Sequence, residues 1–277
     1  MNNDRAWGKV YLVGAGTGNL GYLTLRGQEL LSRAEVLIYD ALVDEQLLSL
    51  VPHNCLKIDV GKRGGKNSTA QNEIDRLLVD YCLQGKQVVR LKSGDPLIFG
   101  RISEELTALT QNNCFYEIVP GISSILAAPL LAGIPLTDKN FSRSFAVISG
   151  HQPEIQDWQA LARIDTLVIV MGARCLSEII ALLITNGKPK TEPVAIVSNC
   201  SRPEQQIFWG TLTDIVEKTR NIALAPAVII IGKVVSFKDL DRTHILPLSG
   251  KTVLVTRAAE QSSQFSNLLQ AQGATVL

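Results

Sequence analysis

Apolar residues follow two alternating rhythms along the first half of the chain. Short runs of Val, Ile and Leu alternate with longer stretches in which apolar residues recur at helical spacing, the pattern of a mainly parallel sheet covered by helices. The predicted fold class is α/β. A first strand is expected at Val10 to Val13, then a glycine-rich turn, a helix at Leu23 to Ala34 and a second strand at Val36 to Tyr39. A basic, glycine-rich loop (Gly61 to Asn67) precedes a helix from Thr69 to Gln84, with Ser68 and Thr69 resembling its N-cap. Strands at Gln87 to Leu91 and Tyr116 to Val119 run into Ser93-Gly94-Asp95-Pro96 and Pro120-Gly121-Ile122-Ser123-Ser124. In open α/β sheets ligands collect at the C-terminal strand edge, and here that edge carries small or acidic residues.

Beyond Thr137 the texture changes. Phe145 to Ser149, Thr166 to Met171, Pro193 to Ser198, Gln206 to Trp209 and Ala227 to Ile231 read as strands with fewer and shorter helices between them, which predicts a second, more mixed αβ lobe. The expected division is an N-terminal lobe over 1–137, a C-terminal lobe over 138–235, a charged linker over 236–250, and the start of a further domain over 251–277. That last stretch holds one strand, one helix and the beginning of another strand, too little to bury a core by itself.

Composition narrows the function classes. The 277 residues carry 27 Lys+Arg against 26 Asp+Glu, a net of +1, so no broad basic surface for nucleic acid is expected and any charge recognition is local. At 46% hydrophobic and 19% charged the chain can bury a sizeable core. No apolar run approaches the ~20 residues that span a bilayer, and no secretion signal is visible at the N-terminus. Cys55, Cys82, Cys114, Cys175 and Cys200 are widely spaced and form no C-x-x-C pair, so neither a disulfide framework nor a metal site is expected. A reducing cytoplasm fits.

The candidate chemistry sits in a few short motifs, each with a bland reading beside it. Gly14-Ala15-Gly16-Thr17-Gly18-Asn19 lies between a strand and a helix, where backbone amides can approach a ligand. It is not the dinucleotide fingerprint, which needs glycine where Asn19 stands and takes its ribose contact from an acidic residue, here Glu35 or Asp40. Asp40 could cap the following helix. Asp95 could close an Asx-turn, Met171 could be core, and the cations of Gly61 to Lys66 could be a solvated turn or an anion site.

Taken together, VYLVGAGTGNLGYLTLRG (Val10 to Gly27), LIYDALV (Leu37 to Val43), VGKRGGKNS (Val60 to Ser68), VVRLKSGDPLIFGR (Val88 to Arg101), VPGISS (Val119 to Ser124), AGIPLT (Ala132 to Thr137) and TLVIVMG (Thr166 to Gly172) are more specific. The chain resembles the uroporphyrinogen-III C-methyltransferases of the tetrapyrrole methylase family. The tail, GKTVLVTRAAEQ from Gly250, resembles the opening of uroporphyrinogen-III synthase. Four positions depart from the family pattern: Thr17 for Pro, Asn67 for His, Ser93 for Gly and Cys200 for Gly.

The resemblance implies a two-lobed tetrapyrrole methylase fold with a cofactor cleft between the lobes. It implies S-adenosylmethionine as cofactor, demethylated to S-adenosylhomocysteine, and uroporphyrinogen III as substrate, methylated to precorrin-2 via precorrin-1 on the way to sirohaem or cobalamin. Cofactor-binding positions carry over to Thr17, Ser93, Gly94, Asp95, Ile98, Ser123, Ser124, Met171 and Cys200. The proton acceptor carries over to Asp40 and the proton donor to Lys62, with no metal. Arg26, Arg63, Lys66 and Arg101 are candidates to hold the substrate's carboxylates, and a homodimer is implied. Three other readings stand beside it: another enzyme of the family, a catalytically weak lobe fused to a synthase, and a nicotinamide-dependent oxidoreductase, which Asn19 disfavours.

Overall fold

The structure is a computed structural model that describes residues 8–61, 69–237, 247–248, 251–256, 264–266, 268–269 and 271–276. The chain forms two compact units, one running to Ala128 and including Cys200–Arg202, the other comprising Pro129–Asn199 and the described residues from Pro203 onward.

The first unit is built on five strands, β1 (Lys9–Gly14), β2 (Val36–Tyr39), β3 (Leu56–Asp59), β4 (Gln87–Lys92) and β5 (Phe115–Val119), in the order β3-β2-β4-β1-β5. All four pairings are parallel. Alternate residues of β1 divide between two cores, as a pleated strand requires. Tyr11 and Val13 join Leu37, Val89 and Leu91 beneath Leu30 and Leu31 of α1 (Leu25–Leu31) and Leu47 of α2 (Glu45–Leu48). Val10 and Leu12 join Val36, Ile38 and Val88 beneath Ile74 and Leu78 of α3 (Gln71–Leu83) and Leu109 of α4 (Ile102–Gln111). Helices on both faces leave the C-terminal ends of β4, β1 and β5 side by side.

Element existence agrees with the pattern, and element ends do not. The first helix is shorter than Leu23 to Ala34, because Asn19 caps a separate 3-10 turn at Leu20–Tyr22 and Thr24 then caps α1 by accepting from Gly27 N. The α3 helix starts after Ala70, which offers no side-chain cap, so Thr69 is not the N-cap; Ser68 lies outside the described residues. The pattern gives no sign of β3, since Leu56 and Lys57 are exposed, and the helix following Asp40 is α2, a single turn.

The second unit holds a mixed sheet, β6 (Phe145–Ser149), β7 (Thr166–Val170), β8 (Pro193–Ser198), β9 (Gln206–Thr211) and β10 (Ala227–Ile231), in the order β6-β7-β10-β8-β9. Only β6 and β7 pair in parallel. Its core sets Leu167, Ile169, Ile196 and Ile229 against Leu176, Ile179, Ile180 and Leu183 of the helix Leu176–Thr185. Near the C-terminus β11 (Thr252–Val253) and β12 (Thr275–Val276) pair in parallel. Among the described residues no helix is long and apolar enough to cross a membrane.

Candidate functional site

Three glycines bring the ends of β1, β4 and β5 into backbone contact. A Cβ on Gly121 would lie 2.2 Å from Gly94 O and 2.7 Å from Gly14 Cα, and one on Gly14 would lie 2.5 Å from Gly121 N. Beyond the strands, Gly16 N donates to Gly94 O at 3.1 Å and Gly94 N to Gly16 O at 2.8 Å, both residues in the left-handed region (φ +67° and +70°) that favours glycine. The β1 and β4 loops are therefore stitched together.

Asp95 ties the third loop in. Its Oδ1 accepts from Leu97 N at 2.8 Å, the Asx-turn legible in the sequence, while Oδ2 accepts from Gly121 N at 3.1 Å. A Cβ on Gly94 would meet only Ser123 and Ser124, and at no less than 3.8 Å, so that side of the loop faces the start of α5 (Ser124–Leu131) without crowding it. Ser93, Gly94, Asp95, Ser123 and Ser124 thus converge on one edge. Ile98 is exposed on the same β4 loop.

Thr17, next to the Gly16 that pairs with Gly94, is held by a residue the motifs did not single out. Ser201 Oγ lies 2.7 Å from Thr17 Oγ1 and donates to Thr17 O at 2.9 Å, and Arg202 Nη2 donates to Leu42 O at 2.6 Å. Cys200 precedes them, its thiol pushed up to about 11 by burial and so protonated at neutral pH. Asn199 and Ser201 both have positive φ, the one local sign that this turn is specialised. Met171, in the second unit, ends its strand at φ +57° with 51% of its surface exposed, which removes the core reading.

Asp40 follows β2 and does not cap α2. That cap is Asp44, which accepts from Gln46 N. Asp40 Oδ1 instead accepts from Arg90 Nη2 at 2.6 Å, while its side chain stays 32% exposed. Arg90 and Lys92 are buried charges on an otherwise apolar strand, both hydrogen-bonded to Oε1 of the fully buried Glu105 of α4, at 3.0 and 2.8 Å. Burial acts to lower the Arg90 guanidinium, but Asp40 and Glu105 outweigh it and hold the group charged. Burial, with Arg90 beside it, lowers the Lys92 ammonium from its ordinary value. The sequence reading missed this network.

The remaining candidates divide. Arg26 is committed to Glu117 (2.9 Å) and Glu29 (2.6 Å), and Arg101 to Glu104 (3.0 Å). Lys62, Arg63 and Lys66 lie outside the described residues. The dinucleotide reading loses one of its two acidic candidates: Asn19 caps the 3-10 turn, and Glu35 is held by Gln87 N and Lys86 at the N-terminal end of β2, which leaves only Asp40 beyond the strand's C-terminal end. Among the described residues no His, Cys, Asp and Glu cluster could hold a metal ion.

The family model for Tetrapyrrole (Corrin/Porphyrin) Methylases matches residues 9–216. The chain belongs to this family. Among its methylase relatives, a uroporphyrinogen-III C-methyltransferase of Synechococcus elongatus is 50% identical over 231 residues, covering 83% of this chain and 95% of its own. One of Bacillus subtilis is 39% identical over 277 residues, and the match spans 98% of this chain but 57% of that relative. A siroheme synthase of Actinobacillus pleuropneumoniae is 46% identical over 245 residues, 87% of this chain and 50% of its length. The chain thus spans about half the length of some of the curated relatives it matches. Among solved structures, the uroporphyrin-III C-methyl transferase of Thermus thermophilus complexed with S-adenyl homocysteine superposes with a TM-score of 0.72 at 38% identity, covering 82% of this chain and 99% of that one.

Proposed function

We propose that this methylase transfers methyl groups from S-adenosylmethionine to carbon atoms of uroporphyrinogen III, giving precorrin-2 via precorrin-1 on the route to sirohaem or cobalamin. The observation that carries the reading is the convergence of Thr17, Ser93–Asp95 and Ser123–Ser124 on one strand edge, beside an Asp40 held by Arg90. Similarity to methylases named for this substrate, one of them solved with the demethylated cofactor, supports it.

The residues present fit such a cofactor. Hydroxyls of Thr17, Ser93, Ser123 and Ser124, backbone amides at two left-handed glycines, the Asp95 loop and the exposed Ile98 offer polar and apolar contacts without a metal. The cofactor supplies an activated methyl group; the protein's part is alignment and exclusion of water. Asp95 fixes the two loops that would hold it, and Met171 and Cys200 complete the proposed set. Asp40 takes the proton that leaves the substrate skeleton, at Oδ2, while Arg90 anchors Oδ1. Lys62 acts as proton donor or grips carboxylates together with Arg63 and Lys66. Arg26 and Arg101 would join them only by exchanging their present carboxylate partners.

The same proposal includes a homodimer, a cytoplasmic location consistent with five free cysteines, the lobe boundaries at 137/138 and 235/236, and a synthase-like start from Gly250.

Calorimetric titration with S-adenosylhomocysteine and NAD, followed by turnover of uroporphyrinogen III with product read by absorbance and mass, tests the reading. Binding of S-adenosylhomocysteine and formation of a dimethylated product are expected. Binding of NAD, with none of S-adenosylhomocysteine at millimolar concentration, would overturn it.

A further inference from the structure

Arg90 and Lys92 are two residues apart on β4, so both point to the face covered by α3 and α4. There they meet Glu105, which offers both cations the same oxygen, Oε1. Its other oxygen, Oε2, is buried with no hydrogen-bond partner among the described residues. A buried ion cluster is weak support for stability, because desolvation offsets the attraction, and an unsatisfied buried oxygen weakens it further. The cluster has one outlet. Arg90 bonds Glu105 through Nε and Asp40 through Nη2, so one planar guanidinium couples the buried carboxylate to the half-exposed one.

We infer that Glu105 is a positioning residue that acts on Asp40 through Arg90, fixing both the orientation of the Asp40 carboxylate and the charge around it, with Lys92 as the balancing cation. Asp40, Arg90, Glu105 and Lys92 together sum to no net charge when all are ionised. Removing either buried partner leaves Asp40 facing an unbalanced charge of opposite sign in the two cases. Lys92 and Asp40 also act on each other directly across space. The other charged groups packed here are Asp75 on α3 and Glu104 on α4. Burial raises Asp75, and the nearby Glu105 and Glu104 add to this while Gln71 donates to it; Glu104 pairs with Arg101 at the surface.

This inference rests on the reading of Asp40 as proton acceptor only for its kinetic consequence. The test therefore has two readouts: carbon NMR titration of the Asp40 carboxyl in the whole chain, assigned by loss of its signal in Asp40→Asn, and the acid limb of the kcat–pH profile. Glu105→Gln deletes a negative charge while keeping shape, so the Asp40 titration midpoint should fall by roughly one pH unit. Lys92→Met should raise it by a similar amount, and the double variant should return it towards wild type. A purely structural role would lower the melting temperature and leave the midpoints alone; unmoved midpoints overturn the inference. If Glu105→Gln does not fold, Lys92→Met and the charge-balanced double variant decide the matter by the same criterion. Should the midpoints move while the acid limb stays fixed, the Glu105 coupling stands and the role of Asp40 as base falls.

Discussion

A carboxylate at the end of a strand can hold a helix or move a proton, and Asp40 and Asp44 separate the two tasks within five residues of chain. Asp44 Oδ1 accepts from Gln46 N, so Asp44→Ala should cost about 1 kcal/mol of stability and leave turnover nearly intact. Asp40 Oδ1 accepts from Arg90 Nη2, a bond an asparagine Oδ1 can still accept, so Asp40→Asn should fold normally. Its turnover should fall by roughly ten-squared to ten-fourth, because only the basicity has gone. Thermal melts and steady-state kinetics of the two variants check both statements, and normal turnover in Asp40→Asn would remove it from the mechanism. Asp40 stood out in the sequence because it directly follows an apolar strand, and Asp95 because it lies between Gly94 and Pro96 just beyond one. Glu105 did not, since it sits beside Glu104 on an amphipathic helix and the two look alike until the fold buries one and exposes the other.

Elements carry the site through their ends, and the glycines there act by different means. Gly16 and Gly94 supply positive φ, whereas Gly121, whose φ is not positive, is needed because its neighbours leave no room for a Cβ. Gly121→Ala should therefore part the ends of β1, β4 and β5, costing ~1–3 kcal/mol and weakening S-adenosylhomocysteine binding in the same titration. Unchanged affinity would mean that the three ends need not touch. At the far side of β5, Glu117 binds Arg26 and Lys9, tying α1 and β1 to that strand. Hydrogen bonds, first from Arg26 and then from Lys9, hold its carboxyl at about 2 against an ordinary 4.5. A carboxyl depressed on folding stabilises above its unfolded value and loses that contribution as pH falls through the folded one. The melting-temperature advantage of wild type over Glu117→Gln should thus be flat above pH 4.5 and shrink steadily below it. Strands were readable because those buried on both faces keep short unbroken apolar runs, as β1 illustrates by feeding two cores. Helix ends were not, because caps are single hydrogen bonds that the chain resolves only on folding: α3 begins at an uncapped Ala70 although Ser68 and Thr69 are the better capping types.

At the scale of the whole chain, the two compact units differ from the last described stretch of the second in how much surface they bury. The two units close their own cores. Leu126 and Leu130 of α5 nevertheless remain exposed, which fits the proposed homodimer; light scattering at micromolar protein should give about twice 30.1 kDa, and a monomer alone would remove that part of the proposal. The C-terminal piece is different. Thr252–Val253 and Thr275–Val276 form a two-residue parallel pair, and Leu254, Phe265 and Leu268 lie exposed beside it, with Ala274 buried. Two strands without a covered apolar face are marginal in water, and a parallel pair needs a crossover and neighbours to become a sheet. The described residues from Lys251 onward thus cover no apolar face of their own. The expected outcome is that this chain does not convert hydroxymethylbilane to uroporphyrinogen III, and that deleting the residues from Gly250 leaves methylation of uroporphyrinogen III within about twofold, since surface changes away from a core usually cost little. Synthase turnover by the intact chain would refute the first statement. A collapse of methylation on deletion, with the melting temperature of the remainder unchanged, would refute the second and would mean that the tail contributes to the methylase site itself.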